Sequence, residues 1–235
     1  MMSPRYFALI PAAGVGARME RDIPKQYLPI AGKPMLQHVL DIFADTPSIA
    51  HTFVVVNADD GYIDAIFGET EQHPNLTVLR VGGASRQASV LNGLHAMRDV
   101  VDDDDRILVH DAARPGLTLE LVEKLIRALH DDEVGGLLAL PIVDTIKRAN
   151  ADERVEVTVA REQLWAAQTP QMFDYALLLR ALETALENAA NVTDEAGAVE
   201  ALGLQPKLVE GSSRNFKVTL AHDIALAELF LKEAR

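Results

Sequence analysis

The sequence predicts an α/β fold in which a mostly parallel sheet carries helices on both faces. The first observation is that short apolar runs alternate with segments of helical periodicity along almost the whole chain. The second is that several runs are apolar at nearly every position, as in parallel strands buried on both faces. These runs are FALIP, FVVVN, LTVLRV, RILVH and GLLALP.

The strands and helices can be placed in order from these patterns. The first apolar run ends in a glycine loop and not in a cleavage site, so it is a strand and not a signal peptide. The expected strands are Tyr6–Pro11, Thr52–Asn57, Leu76–Val81, Arg106–His110, Gly136–Pro141 and Pro206–Val209. The expected helices are Met35–Asp45, Asp60–Phe67, Ser85–Met97, Leu119–His130, Tyr175–Ala189, Asp194–Leu202 and Ala221–Lys232. With 235 residues and no linker or repeat, the chain is expected to form a single domain over residues 1–235.

One insertion, at about residues 142–161, breaks the alternation. Two extended stretches, IVDTIKR and RVEVTV, flank the polar turn NADE, and Val155, Val157 and Val159 alternate with polar residues. We therefore expect a β-hairpin arm. An isolated two-stranded hairpin is marginally stable in water, so the arm should pack on something. A partner subunit and the edge of its own domain both remain open.

Charge and composition exclude several classes of function. The 22 Lys and Arg residues against 35 Asp and Glu residues give a net charge of −13, which disfavours nonspecific binding to nucleic acid or anionic membranes. No apolar run approaches the roughly 20 residues of a membrane span. There is no cysteine, which excludes disulfides and cysteine-ligated metals and fits a cytoplasmic location. Anions can bind only where cations gather locally.

The loop after the first strand, residues 11–19, is rich in small residues. It lacks the Gly-Lys-Ser/Thr of a P-loop, and Met19 stands where a dinucleotide fingerprint needs its third glycine. Asn57 follows the second strand, where that fingerprint needs an acid. The loop is therefore either a different nucleotide loop, with Arg18 and Lys25 as its cations, or a plain glycine turn with two solvated cations.

Two further segments follow strands. Asp111, in VHDAARP, can hold Mg²⁺ against phosphates, or it can act as an N-cap or loop residue. Gly82 and Gly83 precede a helix and form either an anion or base cradle or an ordinary strand-to-helix turn.

Other segments give weaker signals. They are DTIKR, Arg161, QTPQ, Thr193-Asp194-Glu195 and NFKVT. Thr193 is expected to be largely a helix N-cap, with the two acids favouring the start of the helix. The seven histidines show no spacing typical of a metal site.

Taken together, these motifs resemble the 2-C-methyl-D-erythritol 4-phosphate cytidylyltransferase family of the non-mevalonate isoprenoid pathway. The matching segments run in the family's order from residue 11 to 219. VHDAARP and PKQYL are specific, whereas the glycine loop is shared with many nucleotidyltransferases. The segments are PAAGVGARM, PKQYL, GGASRQASVLNGL, VHDAARP, DTIKR, LWAAQTPQ, TDEA, LVEG and NFKVT.

The resemblance implies a Rossmann-like nucleotidyltransferase domain that forms a homodimer through its arm. It implies transfer of CMP from CTP to 2-C-methyl-D-erythritol 4-phosphate, with Mg²⁺ as the cofactor. It also implies a role for individual residues. The CTP-binding residues would be Ala12, Ala13, Gly14, Gly16, Gly82, Gly83, Ser89 and Asp111, with Asp111 also facing Mg²⁺. The catalytic cations would be Arg18, Lys25 and Lys217, and the substrate residues Arg114, Thr145, Arg161, Thr169 and Thr193, with Thr145 and Arg161 reaching in from the neighbouring subunit.

Three other functions are compatible with parts of this pattern. A ribitol 5-phosphate cytidylyltransferase would share most of the motifs and would differ in the pocket around Thr145, Arg161 and Thr169. A sugar-1-phosphate nucleotidyltransferase is disfavoured by the arm and by DTIKR. A nucleotide-binding regulatory module would bind CTP without releasing pyrophosphate, and the cations and Asp111 disfavour it.

Overall fold

The computed structural model describes residues 4–14, 23–64, 74–188 and 192–233. Its strands are β1 (Tyr6–Pro11), β2 (Pro29–Ile30), β3 (Lys33–Pro34), β4 (Ile49–Val55), β5 (Leu76–Leu79), β6 (Arg106–Val109), β7 (Gly136–Pro141), β8 (Ile146–Ala149), β9 (Val155–Val159), β10 (Trp165–Asp174) and β11 (Lys207–Glu210). Its α-helices are α1 (Met35–Asp45), α2 (Arg86–Ala96), α3 (Leu119–Leu129), α4 (Tyr175–Glu187), α5 (Glu195–Ala201) and α6 (Ala221–Glu233). Short 3₁₀ turns occupy Lys25–Tyr27 and Ser213–Asn215.

A seven-stranded sheet in the order β11-β7-β10-β6-β1-β4-β5 forms the centre of the molecule. All neighbouring pairs are parallel except those of β10, which runs antiparallel to both β6 and β7. The predicted mostly parallel α/β fold is confirmed. Because the parallel strands share a direction, the loops that follow β1, β4, β5 and β6 meet at one edge of the sheet.

The alternation of side chains along β1 explains why its sequence is apolar throughout. Tyr6, Ala8 and Ile10 pack into a core layer with α1 and α3. Phe7 and Leu9 point to the opposite face and pack with α2, α4 and α5. Successive side chains of a strand point to opposite faces, so a strand covered by helices on both sides needs apolar residues at every position.

Side-chain caps fix the starts of three helices. Ser85 accepts a hydrogen bond from the backbone N–H of Ala88 at the start of α2, and Thr118 accepts one from Leu121 at the start of α3. The cap of α5 is Asp194, so the expectation that Thr193 caps this helix was wrong by one residue. The carboxylate of Asp194 satisfies a backbone donor of the first turn, which leaves Thr193 outside the helix.

The main strand that the sequence did not predict is β10. Pro170 lies within it, and a proline ordinarily argues against a central strand because it cannot donate to the ladder. The structure places Pro170 where the pairing of β10 with β7 is irregular, between Ala167 and Gln171. The small β2–β3 hairpin was not predicted either. Part of the helix expected at Asp60–Phe67 falls on residues after 64, which lie outside the described residues.

The predicted hairpin arm is present as β8 and β9, which form their own two-stranded antiparallel sheet from Ile146↔Val159 to Ala149↔Val155. The arm lies between β7 and β10, whose paired ends are Pro141 and Trp165. The chain therefore leaves the central sheet and returns to it at the same edge. None of the helices in the described residues combines the length and apolar character that crossing a membrane requires.

Candidate active site

A groove of about 580 Å³ opens at the edge of the sheet where β1, β4, β5 and β6 end. Its lining joins the loop after β1 to the start of α2, the end of β6 and the segment before α6. The lining residues are Pro11, Ala12, Ala13, Gly14, Lys25, Gln26, Asn57, Gly83, Ala84, Ser85, Arg86, Ser89, Asp111, Ala112, Ala113, Lys217 and Thr219. This is the position in which open α/β sheets bind ligands.

Two amide side chains hold the backbone of the loop after β1. Gln26 donates from Nε2 to the carbonyl of Ala12 at 2.6 Å, and Asn57 donates from Nδ2 to the carbonyl of Ala13 at 2.7 Å. Gln26 is buried, so its amide serves the loop and not the solvent. The carbonyls of Ala12 and Ala13 are therefore satisfied by two side chains that also line the groove.

The two glycines that precede α2 are required by close packing. A Cβ on Gly82 would lie 2.5 Å from Cβ of Ala13, and a Cβ on Gly83 would lie 2.6 Å from Cβ of Ala88. Ser89 fixes the same turn, since its Oγ accepts from the N–H of Gly83 at 3.0 Å and donates to the carbonyl of Ser85 at 2.9 Å. Gly82 thus allows the second loop to pack directly against the first, and Gly83 contributes backbone to the lining of the groove.

Asp111 lies on the floor of the groove among cationic side chains. Its Oδ1 accepts from Nε of Arg86 at 2.7 Å, and its Oδ2 lies 2.8 Å from Nζ of Lys217 and 3.6 Å from Nε of Arg114. Burial by itself would raise the pKa of Asp111, but Arg86 and Lys217 outweigh it and hold that pKa well below its ordinary value. The carboxylate is therefore ionised at any physiological pH.

Arg86 and Glu195 take part in this cluster, and sequence reasoning gave neither of them a role. Arg86 donates from Nη1 and Nη2 to the two carboxylate oxygens of Glu195, at 2.6 and 3.0 Å. The side chain of Glu195 is 1% exposed. The sequence contained a signal, since Arg86 stands in GGASRQ and Glu195 in TDEA, but an acid in the first turn of a helix is already explained by the helix dipole.

A chain of buried hydrogen bonds supports the backbone at Asp111. Nε2 of His110 lies 3.3 Å from the carbonyl of Arg114, so this nitrogen carries the ring proton and Nδ1 accepts from the hydroxyl of Thr169 at 2.9 Å. The same hydroxyl accepts from the N–H of Asp111 at 3.0 Å. Burial lowers the pKa of His110 to about 3, so the ring is neutral. Thr169 therefore lies beneath Asp111 and is only 4% exposed.

The segment that carries Lys217 is attached to the site by its neighbour. Val218 is fully buried, and its N–H donates to the carbonyl of Ala113 at 2.8 Å. Val218 packs in a small core layer with Ile30, Met35 and residues of α6. The side chain of Lys217 is 42% exposed and lines the groove, and its backbone is held in place by the buried Val218.

The structure brings most of the predicted site residues together. Those that line the groove are Ala12, Ala13, Gly14, Lys25, Gly83, Ser89, Asp111 and Lys217. Gly82 lies behind the groove, Arg114 beside Asp111, and Thr193 is exposed just before α5. Gly16 and Arg18 lie outside the described residues.

Thr145 and Arg161, at the base of the arm, are not part of the groove lining within one chain. Both are exposed, and Arg161 donates from its guanidinium to the carbonyl of Val143. The arm also exposes apolar side chains, with Val143 at 73%, Val155 at 63% and Val157 at 43%. Apolar residues grouped in this way mark a surface that packs against something else.

The chain is similar to proteins of one family over almost its whole length. The family model described as 2-C-methyl-D-erythritol 4-phosphate cytidylyltransferase matches residues 6–233. The protein of that name from Nitrosomonas eutropha is 53% identical over 232 residues, which cover 97% of each chain. Its counterpart from Nitrosospira multiformis is 50% identical over 232 residues, covering 98% of this chain and 99% of the other.

Solved structures give the same result. A crystal structure of 4-diphosphocytidyl-2C-methyl-D-erythritol synthase superposes with a TM-score of 0.85 at 39% identity, covering 98% of this chain and 100% of that one. The 2-C-methyl-D-erythritol 4-phosphate cytidylyltransferase of Francisella tularensis superposes with a TM-score of 0.81 at 34% identity, covering 96% of this chain and 99% of that one.

Proposed function

The chain belongs to the 2-C-methyl-D-erythritol 4-phosphate cytidylyltransferase family, and from this premise we propose that its groove transfers CMP from CTP to 2-C-methyl-D-erythritol 4-phosphate. The products are 4-diphosphocytidyl-2-C-methyl-D-erythritol and pyrophosphate. The reaction belongs to the biosynthesis of isoprenoid precursors.

The observation that carries this proposal is the local charge of the groove. The protein as a whole has a net charge of −13, yet Lys25, Lys217 and Arg86 line one groove together with Asp111. The groove is also lined by Gly83, which belongs to the tight turn of Gly82 and Gly83, where backbone can approach a flat base closely. A nucleotide triphosphate needs both features, namely cations for its phosphates and close-packed backbone for its base.

The chemistry requires positioning and charge stabilisation. An oxygen of the acceptor's phosphate attacks the α-phosphorus of CTP, the new P–O bond forms, and the bond to the bridging oxygen of the leaving pyrophosphate breaks. A phosphate monoester has its second pKa near 6, so the attacking group is already mostly dianionic at neutral pH and needs no general base. We assign the stabilisation of charge at the α-phosphorus to Lys25 and Lys217, with Arg18 from outside the described residues.

The residues of the groove fit a magnesium ion that arrives with the nucleotide. Within the described parts of the chain, no three His, Asp or Glu side chains form a ready-made metal cluster. Mg²⁺, however, commonly uses one or two carboxylates together with substrate phosphates and waters. Asp111 would supply that carboxylate through Oδ2, because its partner there is the half-exposed Lys217, whereas Oδ1 is held by Arg86. The ion would neutralise charge on the triphosphate.

The divalent ion can be tested directly. We expect excess chelator to abolish pyrophosphate release and added Mg²⁺ to restore it. Activity that persists in excess chelator would contradict this assignment.

A homodimer that shares its active sites accounts for the position of the arm. Thr145 and Arg161 do not line the groove of their own chain, and the arm exposes Val143, Val155 and Val157. If the arm crosses a two-fold axis, it brings both residues to the partner's groove and covers its apolar face in the same contact. We place this dimer in the cytoplasm, which fractionation of cells would check.

The activity itself is tested by measuring pyrophosphate release from CTP with 2-C-methyl-D-erythritol 4-phosphate and, separately, with ribitol 5-phosphate. We expect rapid release with the first acceptor and little with the second. Preference for ribitol 5-phosphate would reassign the acceptor, and CTP binding without release in either case would show a nucleotide-binding module without turnover.

A further inference from the structure

We propose that Glu195 is a positioning residue that acts on Asp111 through Arg86. It holds the guanidinium in one orientation, so that Asp111 is bound through a single oxygen and keeps the other facing the groove. This inference rests on the proposed function, since it concerns the same transfer of CMP.

The geometry of Arg86 divides its donors between two carboxylates. Nη1 and Nη2 face both oxygens of Glu195, and Nε alone faces Oδ1 of Asp111. All three nitrogens of the guanidinium are thereby engaged, although Arg86 lines the groove. Burial by itself would lower the pKa of Arg86, but Glu195 and Asp111 outweigh it and raise that pKa. Arg86 is thus a charged side chain that connects α5 to the loop after β6.

The position of Glu195 is imposed by the sheet. Gln171, a buried residue of β10, donates from Nε2 to Oδ2 of Asp194 at 2.9 Å. Its Oε1 accepts from the N–H of Ala196 at 2.7 Å. One side chain of the central sheet therefore holds the side chain of Asp194 and the backbone of Ala196, the residues on either side of Glu195. Because these contacts fix the start of α5, we infer that Glu195 sets the orientation of Arg86.

Stability alone gives little reason for this ion pair. A buried ion pair loses so much hydration that replacing it by apolar residues of similar volume is often neutral or stabilising. Its effect on the site is more specific. A guanidinium without Glu195 would be free to bind both oxygens of Asp111, since two parallel hydrogen bonds are its preferred geometry with a carboxylate. Oδ2 would then turn away from Lys217 and from the groove.

The inference is tested with three variants, Glu195→Gln, the double variant Glu195→Gln/Arg86→Met, and Asp174→Asn as a matched control. The control breaks the ion pair between Asp174 and Arg106, in which Oδ1 of Asp174 lies 2.8 Å from Nε of Arg106. This pair lies at the amino end of β6, away from the groove. Each variant is measured for melting temperature, kcat and the KM of CTP and of the acceptor.

We expect Glu195→Gln to lower kcat by about 100-fold with little change in either KM, because a catalytic group displaced by about 1 Å costs on that order. It should also lower the melting temperature by about 5 °C, since one buried charge loses its partner. In the double variant Asp111 keeps Lys217 and Arg114 as its partners, so the melting temperature should recover. Its kcat should stay low, because the contact that holds Oδ1 of Asp111 is gone. Asp174→Asn should lower the melting temperature and leave kcat unchanged.

Two results would overturn the inference, namely a kcat of Glu195→Gln within about threefold of wild type, or a double variant that regains kcat together with its melting temperature. The second result would show that Glu195 serves stability only. Wild type is assayed first with CTP and 2-C-methyl-D-erythritol 4-phosphate. If the wild type releases no pyrophosphate, both the proposed function and this inference are wrong. If the wild type is active and Glu195→Gln is equally active, the proposed function stands and only this inference is wrong.

Discussion

The two ends of β6 carry similar ion pairs and differ in what surrounds them. At the amino end, the buried Asp105 accepts hydrogen bonds from the backbone N–H groups of Arg5 and Asp102 and from the side chain of Arg5. At the carboxyl end, Asp111 faces Arg86 and Lys217, and a groove opens above it. Buried carboxylates with lowered pKa values therefore occur at both ends. The carboxyl end differs in having a surplus of cations beside an open groove, since Arg86, Arg114 and Lys217 accompany only two carboxylates, Asp111 and Glu195.

The largest effects should come from residues that complete the carboxyl end. We expect Lys25→Ala and Arg161→Ala each to reduce activity to near background. The two variants are then unfolded, mixed and refolded together. If each groove combines the loop of one chain with the arm of the other, a mixed dimer holds one whole site and one doubly damaged site. Random pairing makes about half of the dimers mixed, so about a quarter of wild-type activity should return.

The alternative to a shared site gives a different outcome in the same experiment. If the arm folds back onto its own chain, every site carries at least one lesion and no activity returns. Mass measurement of differently tagged chains shows whether mixed dimers have formed. Mixed dimers without recovered activity would place the whole site within one chain.

A smaller loss is expected when one cation is removed from the groove. Lys217→Ala should lower kcat at saturating CTP by about 100-fold or more, because charge builds up at the α-phosphorus only in the transition state. Arg18→Ala is expected to behave in the same way. Lys207→Ala is the matched control, since it removes the same charge from a half-exposed lysine that contacts Ala128. A Lys217→Ala rate within a few-fold of wild type would remove this residue from the catalytic set.

The buried imidazole beneath the groove predicts a pH dependence of stability. The folded pKa of His110 is about 3 and its ordinary value is 6.5, so below about pH 6.5 the unfolded chain binds a proton that the folded chain does not. The free energy of unfolding should fall as the pH is lowered, by up to about 1.4 kcal/mol per pH unit from this group. Burial also lowers the pKa of His51, which adds to the same trend.

Denaturant unfolding of wild type and His110→Asn between about pH 4.5 and 6.5 measures this contribution. The slope of stability against pH should be smaller in the variant, whatever its absolute stability. Identical slopes would mean that His110 is protonated in the folded protein. Asp111 does not disturb the measurement, because its lowered pKa acts on stability only below its ordinary range, at about pH 4 and lower.

The smallest effect is expected at the amino end of β6. Arg5 is half-exposed, and the backbone N–H groups that bind Asp105 remain when its side chain is removed. Arg5→Gln should therefore cost about 1 kcal/mol or less of the free energy of unfolding and leave kcat unchanged. A marked loss of kcat would show instead that the two ends of β6 are coupled.

The sequence was sufficient to predict most of the sheet, because a strand buried on both faces leaves an unbroken apolar run. It was not sufficient for β10, where Pro170 interrupts the pattern and half of the strand lies under the groove among polar partners. The roles of Gln171 and Glu195 could not be predicted from the sequence either. Their polar atoms are satisfied by residues far away in the chain, and no local spacing encodes such pairs.

The sequence predicted the site residues in the loops that follow strands. It was less successful for residues whose side chains hold other site residues in place. Lys25, Asp111 and Lys217 stand in motifs and do line the groove. Thr169 stands in a motif too, but its hydroxyl is engaged by His110 and by the backbone of Asp111, which pattern alone could not distinguish from contact with a substrate. Exposure and hydrogen-bond partners separate these cases, and both depend on the fold.

The antiparallel direction of β10 also bears on how such enzymes can diversify. Since Pro141 pairs with Trp165, whatever chain is inserted between β7 and β10 must begin and end at the same edge of the sheet. Lengthening such an insertion costs little entropy, because the cost of closing a loop grows only slowly with its length. If the arm binds the acceptor as proposed, exchange of this one segment can change the acceptor while the nucleotide-binding loops stay the same.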